Sequence, residues 1–287
     1  MSYPDDLREA VDRQLETVRF STEAATAGLE DAMRYSLLAG GKRIRPVLCL
    51  ATARSLGRPI HEYLSIAAAL EMVHTYSLVH DDLPAMDDDD LRRGQPTSHI
   101  RHGEAVAILA GDGLFAEAVR TLAAVPGDPE RVIETIELIA SATGVAGMVG
   151  GQYVDVTAGG LDADGLLRLH SLKTGRLIEV SVQSALAYSG VTPTQRAPYE
   201  VFARELGILF QIIDDILDVT GSDEELGKPQ GSDERHGKVT YVSLHGLDRA
   251  RELAAASHGN AIAALDEVDG QEGSLRSIAD YIYRRET

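Results

Sequence analysis

Cysteine is almost absent from this chain: Cys49 is the single one. An intrachain disulfide and any multi-cysteine zinc site are therefore excluded. Cys49 itself sits in Val47-Leu48-Cys49-Leu50-Ala51, where a small buried hydrophobe is expected rather than a nucleophile. Unbroken apolar runs approaching the roughly 18 residues of a membrane span are missing, so no span is expected. The start, Met1-Ser2-Tyr3-Pro4-Asp5-Asp6, lacks a basic region followed by an apolar one and does not read as a signal peptide. A cytoplasmic location fits best. Positive charge is scarce, with 27 Lys and Arg against 45 Asp and Glu and a formal net charge of -18. That balance argues against nucleic acid or an anionic membrane surface as partner, but not against a small anionic substrate, because a metal reverses the sign locally. No linker, fixed-period repeat, low-complexity tract or convincing strand series interrupts the 287 residues.

What is present is helix. Apolar spacing of three and four predicts helices over Asp5–Phe20, Ala25–Leu38, Ile44–Leu56, His61–Asp82, Gly103–Ala124, Pro129–Ala142, Gly144–Val156, Ala163–Tyr188, Pro198–Val219, Tyr241–Ser257 and Gly273–Arg285. The expected architecture is all-α: one domain, residues 1–287, with long helices around a central cavity.

The most informative stretch runs from His80 to Gly94, with six carboxylates and two guanidiniums in fifteen residues. Acid runs usually form solvated faces. Here Ile66, Leu70, Val73 and Ser77 recur at helical spacing and Asp81 continues their stripe, so the first acid is expected to point inward. Carboxylates about 4 Å apart repel by roughly 4 kcal/mol at an effective dielectric near 20, which calls for a cation. Pro84 should break the helix and fold Asp87 back towards Asp81 and Asp82. Oxygen-only ligands suit Mg²⁺, held by a few carboxylates, waters and substrate phosphates. Arg92 and Arg93 stand ready to grip those phosphates.

A second cluster lies in Phe210-Gln211-Ile212-Ile213-Asp214-Asp215-Ile216-Leu217-Asp218, where Gly207, Gln211, Asp214 and Asp218 share one helix face. A lone DDxxD is weak evidence; two clusters, each on a long apolar helix, make Mg²⁺ ions bridging a diphosphate the natural reading. Basic stations accompany them. Lys42 and Arg45 sit one turn apart beside Gly40 and Gly41, Lys173-Thr174-Gly175 interrupts a helix, and Lys228 and Lys238 flank the polar loop 227–237. Each alone would pass for solvated surface, but a basic lid over phosphate is the alternative for the last pair. Gly147, Gly150 and Gly151 suggest close helix contacts, with a supporting role open to Gln152 and Asp155.

Together the segments GGKRIRP at 40–46, EMVHTYSLVHDDLPAMDDDDLRRGQPTSH at 71–99, GEAVAILAGDGL at 103–114, GGQYVDV at 150–156, KTG at 173–175, FQIIDDILDV at 210–219 and LGKPQGSDERHGKVTY at 226–241 closely resemble the trans-isoprenyl diphosphate synthases, the bacterial farnesyl diphosphate synthases above all. The resemblance implies the isoprenoid synthase fold, a homodimer, and a Mg²⁺-dependent head-to-tail 1′-4 condensation, with three ions when substrate is bound. An allylic diphosphate ionises, the double bond of isopentenyl diphosphate attacks the cation, and a proton leaves. By matching position, Asp81, Asp82, Asp87 and Asp214 would bind Mg²⁺, with Asp215 and Asp218 supporting. Gly41, Lys42, Arg45, His74 and Arg93 resemble the isopentenyl diphosphate site. Arg92, Lys173, Thr174, Gln211, Lys228 and Lys238 resemble the allylic diphosphate contacts, the Lys173 and Thr174 oxygens lying near the cation. The tail Tyr281–Arg285 is loosely similar to one that closes over the site. Departures are Val242, Arg176 and Glu179, none of them at the expected diphosphate contacts.

Product length should depend on how far the tail runs back along the helix from Asp81. Ser77 and Tyr76 lie four and five residues upstream, roughly 7 Å at 1.5 Å per residue. In the family an aromatic there accompanies farnesyl products, so Tyr76 is expected to form the floor. The alternatives are a geranylgeranyl or geranyl diphosphate synthase, a terpene cyclase, and a non-catalytic subunit of a heteromeric synthase. The cyclases' Asn/Ser/Glu metal motif is absent, and where non-catalytic subunits typically lose one aspartate cluster, this chain has both.

Overall fold

The computed structural model describes residues 3–157, 160–221 and 239–285. Its organising element is α4 (Leu64–Asp81), whose Ile66, Ala67, Ala68, Ala69, Leu70, Met72 and Val73 are all buried. A helix apolar on every side must be surrounded. It is flanked by α1 (Asp5–Thr17), α2 (Ala27–Leu37), α3 (Ile44–Ser55), α6 (Glu104–Ala123) and α10 (Arg176–Ser189). The longest helix, α11 (Pro193–Thr220), packs on α10, on α13 (Leu247–Asp266) and on α14 (Gly273–Arg284). Short helices α5 (Ser98–His102), α8 (Met148–Thr157), α9 (Ala163–His170) and α12 (Tyr241–His245) and the amphipathic α7 (Pro129–Thr143) complete the described shell. Among the described residues the strands are two of two residues each, β1 (Leu91–Arg92) and β2 (Gln95–Pro96), in one antiparallel hairpin. The all-α expectation holds.

Two predicted helices need correction and a third carries a bulge. Ala163–Tyr188 is helical throughout, but at Ser171–Gly175 it widens into a π-turn between α9 and α10, a form common at functional sites. Tyr241–Ser257 divides at Gly246, whose φ of 80° no helix accepts, into α12 and α13. Pro198 does not start its helix. The start is a capping box in which Thr192 and Gln195 bond reciprocally, with Pro193 in the first turn, and Pro198 lies inside. The capping box satisfies the end amides that a proline start at residue 198 would leave to water.

By length and apolar composition Pro129–Thr157 passes as a membrane-crossing stretch. In the fold it is two helices, α7 and α8, separated at Gly144–Gly147, and α7 packs on α10 and α6. Cys49 is fully buried, and burial holds its thiol far from ionisation, at about 12, as its sequence context predicts.

Candidate active site

Asp81 is the last residue of α4, and the helix stops where Pro84 would remove its next hydrogen bond. The chain then doubles back: the Asp87 amide donates to the Asp81 carbonyl at 2.9 Å, so the break brings Asp87 beside Asp81. Burial raises the Asp81 carboxyl from its ordinary 3.8 to about 6, with Asp87 and Asp82 adding to the rise and Lys173 and Arg92 opposing it. Asp82 is buried and clamped by Arg92, whose Nε lies 2.7 and 2.9 Å from the two carboxylate oxygens and whose Nη2 lies 2.6 Å from Oδ1.

A raised carboxyl pKa means that the proton favours the folded metal-free state. Asp81's contribution is complete below about 4 and is lost as pH rises through about 6. A cation needs the carboxylate, so the rise in melting temperature on adding Mg²⁺ is expected to be small near about pH 5 and larger near about pH 8. A thermal-shift titration checks this; an equal shift at both pH values contradicts it.

Arg92 and Arg93, adjacent in sequence, serve different places. Arg93 and Gly94 both have positive φ, 54° and 75°, and make the two-residue turn that matches strand twist. Arg93 therefore leaves Arg92 on Asp82 and reaches the other way, donating to the Gly40 carbonyl. Gly41 is needed there because its φ of 115° is a backbone conformation that residues with a Cβ rarely adopt. Arg93 thus joins Gly41, Lys42 and Arg45. Arg45 Nη1 lies 3.3 Å from His74 Nε2. Burial and the neighbouring arginines push the His74 pKa well down, so the ring is neutral and accepts. Burial also lowers the Arg45 pKa to about 10, against the pull of Glu71 and Asp214. Lys42 has its ammonium 5.1 Å from the Tyr281 ring centre, and its carbonyl accepts from Tyr3 Oη at 2.6 Å.

On α11 the second cluster divides as well. Asp214 is exposed towards Arg285, 3.7 Å away. Asp215 is 1% exposed; its Oδ1 accepts from Gln211 at 2.8 Å and its Oδ2 from the Tyr241 amide at 2.7 Å. The sequence places Asp215 among the metal-supporting acids; in the fold its carboxylate ties α11 to α12. Thr174 Oγ1 donates to Gln211 Oε1 at 3.0 Å, linking the π-turn to the same tie. Lys173, on that turn, pairs with Asp155 at 2.5 Å, which gives Asp155 the supporting place left open by the sequence. Lys228, Lys238 and loop 227–237 lie outside the described residues.

The π-turn is seated on Gly151, where a Cβ would fall 2.4 Å from the Lys173 backbone nitrogen. Gly151→Ala is therefore expected to destabilise the protein by about 1–3 kcal/mol and, by displacing Lys173, to disturb the kinetics of the enzyme. Unchanged melting and kinetics contradict that seating.

Sequence reasoning missed two contributors: Tyr3 behind Lys42, and Phe115, whose ring centre is 5.4 Å from that of Tyr76. Tyr3 comes from far away in sequence, and Phe115 gave no motif signal; Arg285, in the tail that the resemblance pointed to, stands opposite Asp214. Among the described residues no three His, Cys, Asp or Glu converge tightly enough to cage an ion by themselves. Dispersed all-oxygen donors with cations interleaved fit Mg²⁺, which is ordinarily held by one or two carboxylates and completed by water and substrate phosphate.

Residues 26–276 match the polyprenyl synthetase family. The chain belongs to that family. It is 44% identical over 267 residues to a farnesyl diphosphate synthase of Geobacillus stearothermophilus, covering 91% of this chain and 89% of that one. It is also 44% identical over 266 residues to a chloroplastic geranylgeranyl pyrophosphate synthase of Capsicum annuum, covering 90% and 72%. Among solved structures it is similar to a geranyltransferase from Helicobacter pylori complexed with magnesium and isoprenyl diphosphate. There the TM-score is 0.87 and the identity 32%, with 99% of this chain and 98% of that one covered. This polyprenyl synthetase is a trans-prenyltransferase of the isoprenoid synthase fold. Farnesyl and geranylgeranyl relatives stand at equal identity, so product length has to be read from the residues that bound the tail.

Proposed function

We propose that this synthase condenses isopentenyl diphosphate with dimethylallyl and then geranyl diphosphate and releases farnesyl diphosphate. The observation that carries the choice is Tyr76. It faces the interior at 9% exposure, a little over one turn back from Asp81, with its ring packed edge-on between His80 and Phe115 at 5.8 and 5.4 Å. A ring held on both sides blocks a growing tail more firmly than a free one. The same-identity geranylgeranyl relative favours the second reading, a twenty-carbon product. Primer competition separates them. Geranyl diphosphate is expected to be extended and farnesyl diphosphate to be a poor primer, whereas equal kcat/KM for both contradicts the farnesyl reading.

The site residues divide the work. Asp81, Asp82 and Asp87 on one side and Asp214, Asp215 and Asp218 on the other are the proposed metal-binding acids. Asp81, Asp87 and Asp214 hold the foremost places; Asp82 and Asp215 are engaged by Arg92 and Tyr241. Three Mg²⁺ ions are proposed with substrate bound, supplying neutralisation of the diphosphate and of the charge that develops as it leaves. Arg92, Lys173, Thr174 and Gln211 orient the allylic diphosphate, with Lys228 and Lys238 proposed from sequence alone. Gly41, Lys42, Arg45, Arg93 and neutral His74 hold isopentenyl diphosphate. Preorganised donors of this kind need little rearrangement as charge develops, and the apolar helices around Tyr76 keep water from the cation.

A homodimer is part of the proposal. On α6 Ile108, Leu109, Phe115 and Val119 are exposed, as are Val145 in the link after α7 and Val149, Tyr153 and Val156 on α8. Exposed apolar side chains in this number are what a second copy would cover. One domain over 1–287 and a cytoplasmic location complete the reading.

A further inference from the structure

The 40–46 segment carries three cations, Lys42, Arg43 and Arg45, and the third of these to be placed, Arg43, does not join the others. Arg43 is 4% exposed. Its Nη1 donates to Glu71 Oε1 at 2.6 Å, its Nε to Asp12 Oδ1 at 3.0 Å and its Nη2 to the Leu37 carbonyl at 3.0 Å. Those partners belong to α4, α1 and the end of α2, so one guanidinium ties three helices together behind the loop.

The backbone at Arg43 is left-handed, φ 53° and ψ 39°. Glycine adopts that conformation freely, and arginine does not. A non-glycine residue persists there only where its surroundings over-determine it, which the three bonds do. Stability alone is a weak reason for the pair, since buried ion pairs are often replaceable by apolar residues of similar volume. Glu71 Oε2 is moreover buried without a hydrogen-bond partner, a cost that a pair serving stability alone gains nothing by keeping. The neighbours supply a better reason. Lys42 precedes Arg43 and Arg45 follows by two, while Glu71 precedes His74, the partner of Arg45, by one helical turn on α4. The anchor of Arg43 and the partner of Arg45 are therefore fixed by the same turn.

We propose that the Arg43–Glu71 pair is a positioning element: without touching substrate, it sets the pose of Lys42 and Arg45 and thereby the affinity for isopentenyl diphosphate. This rests on that loop being the isopentenyl diphosphate site.

The test is Arg43→Met/Glu71→Met in the full chain, with melting temperature and steady-state kinetics measured in both substrates. The melting temperature is expected to stay within about 4 °C of the parent. KM for isopentenyl diphosphate is expected to rise roughly tenfold or more, the scale of losing a charge-assisted hydrogen bond, while kcat and the allylic KM stay within about twofold. Glu71→Gln keeps the shape and one acceptor and should raise the same KM by roughly threefold; it decides the matter if the double variant does not fold. A folded variant with the parental isopentenyl KM, or with both KM values rising together, overturns the proposal. Arg45→Ala distinguishes the two failures. If it leaves the isopentenyl KM unchanged, the placement of the site is wrong and the anchor falls with it. If it raises that KM and the Arg43 and Glu71 variants do not, the anchor alone is wrong.

Discussion

Tyr76→Ala is expected to lengthen the main product from fifteen carbons to twenty or more. In the proposed function the tail of an allylic substrate held at Asp81 would extend back along α4, and the large side chain it would meet within about 7 Å is Tyr76, at 1.5 Å per residue. Ser77, the alternative, is small, and its hydroxyl turns back to the His74 carbonyl at 2.8 Å. The Tyr76 ring is wedged against His80 on its own helix and Phe115 on α6, so truncation opens a path that ends on Phe115. Phe115 is itself 38% exposed, and Tyr76→Ala/Phe115→Ala is expected to shift the distribution further than either change alone. Chromatography of the dephosphorylated products reads the result. An unchanged fifteen-carbon product from Tyr76→Ala contradicts the assignment of the floor.

Asp81→Asn should act in opposite directions on turnover and on stability. Burial disfavours the charged form of this carboxyl, holding its pKa near 6, so a neutral residue of the same shape relieves the metal-free fold and raises its melting temperature. The same change removes the inward carboxylate of the first cluster, and kcat is expected to fall by roughly 10²–10³, as when one preorganised electrostatic contact is lost. A side chain of merely structural importance would lose stability together with activity. Activity within tenfold of the parent, or a lower melting temperature in the absence of metal, contradicts Asp81's assigned place.

Much of this site was legible from spacing because its parts are local. The stripe from Ile66 to Asp81 and the face carrying Gln211, Asp214 and Asp218 follow from 3.6 residues per turn, and Pro84 announces the break that returns Asp87 to Asp81. What was hidden depends on contacts distant in sequence. Asp215 looked like its neighbour Asp214 until the Tyr241 amide, 26 residues on, took one of its oxygens. The π-turn at Ser171–Gly175 carries no internal proline, and its terminal glycine marked an interruption without its form. Its geometry answers to backbone contacts with Gly151 and Gly207. Spacing alone put Arg92 and Arg93 in one phosphate grip and the resemblance separated them; the turn at Arg93 and Gly94, both with positive φ, leaves Arg92 on Asp82 and Arg93 on the Gly40 carbonyl. Nothing in the sequence sets Arg43 apart from Lys42 and Arg45; its burial against Glu71, Asp12 and the Leu37 carbonyl does.

The most direct measurement is product analysis of the purified full chain, incubated with labelled isopentenyl diphosphate and geranyl diphosphate, with Mg²⁺ and with EDTA in its place. Expected is a linear fifteen-carbon diphosphate that forms with Mg²⁺ and is lost with EDTA. Condensation that persists in EDTA, a cyclic hydrocarbon, or a main product of twenty carbons contradicts the proposed function.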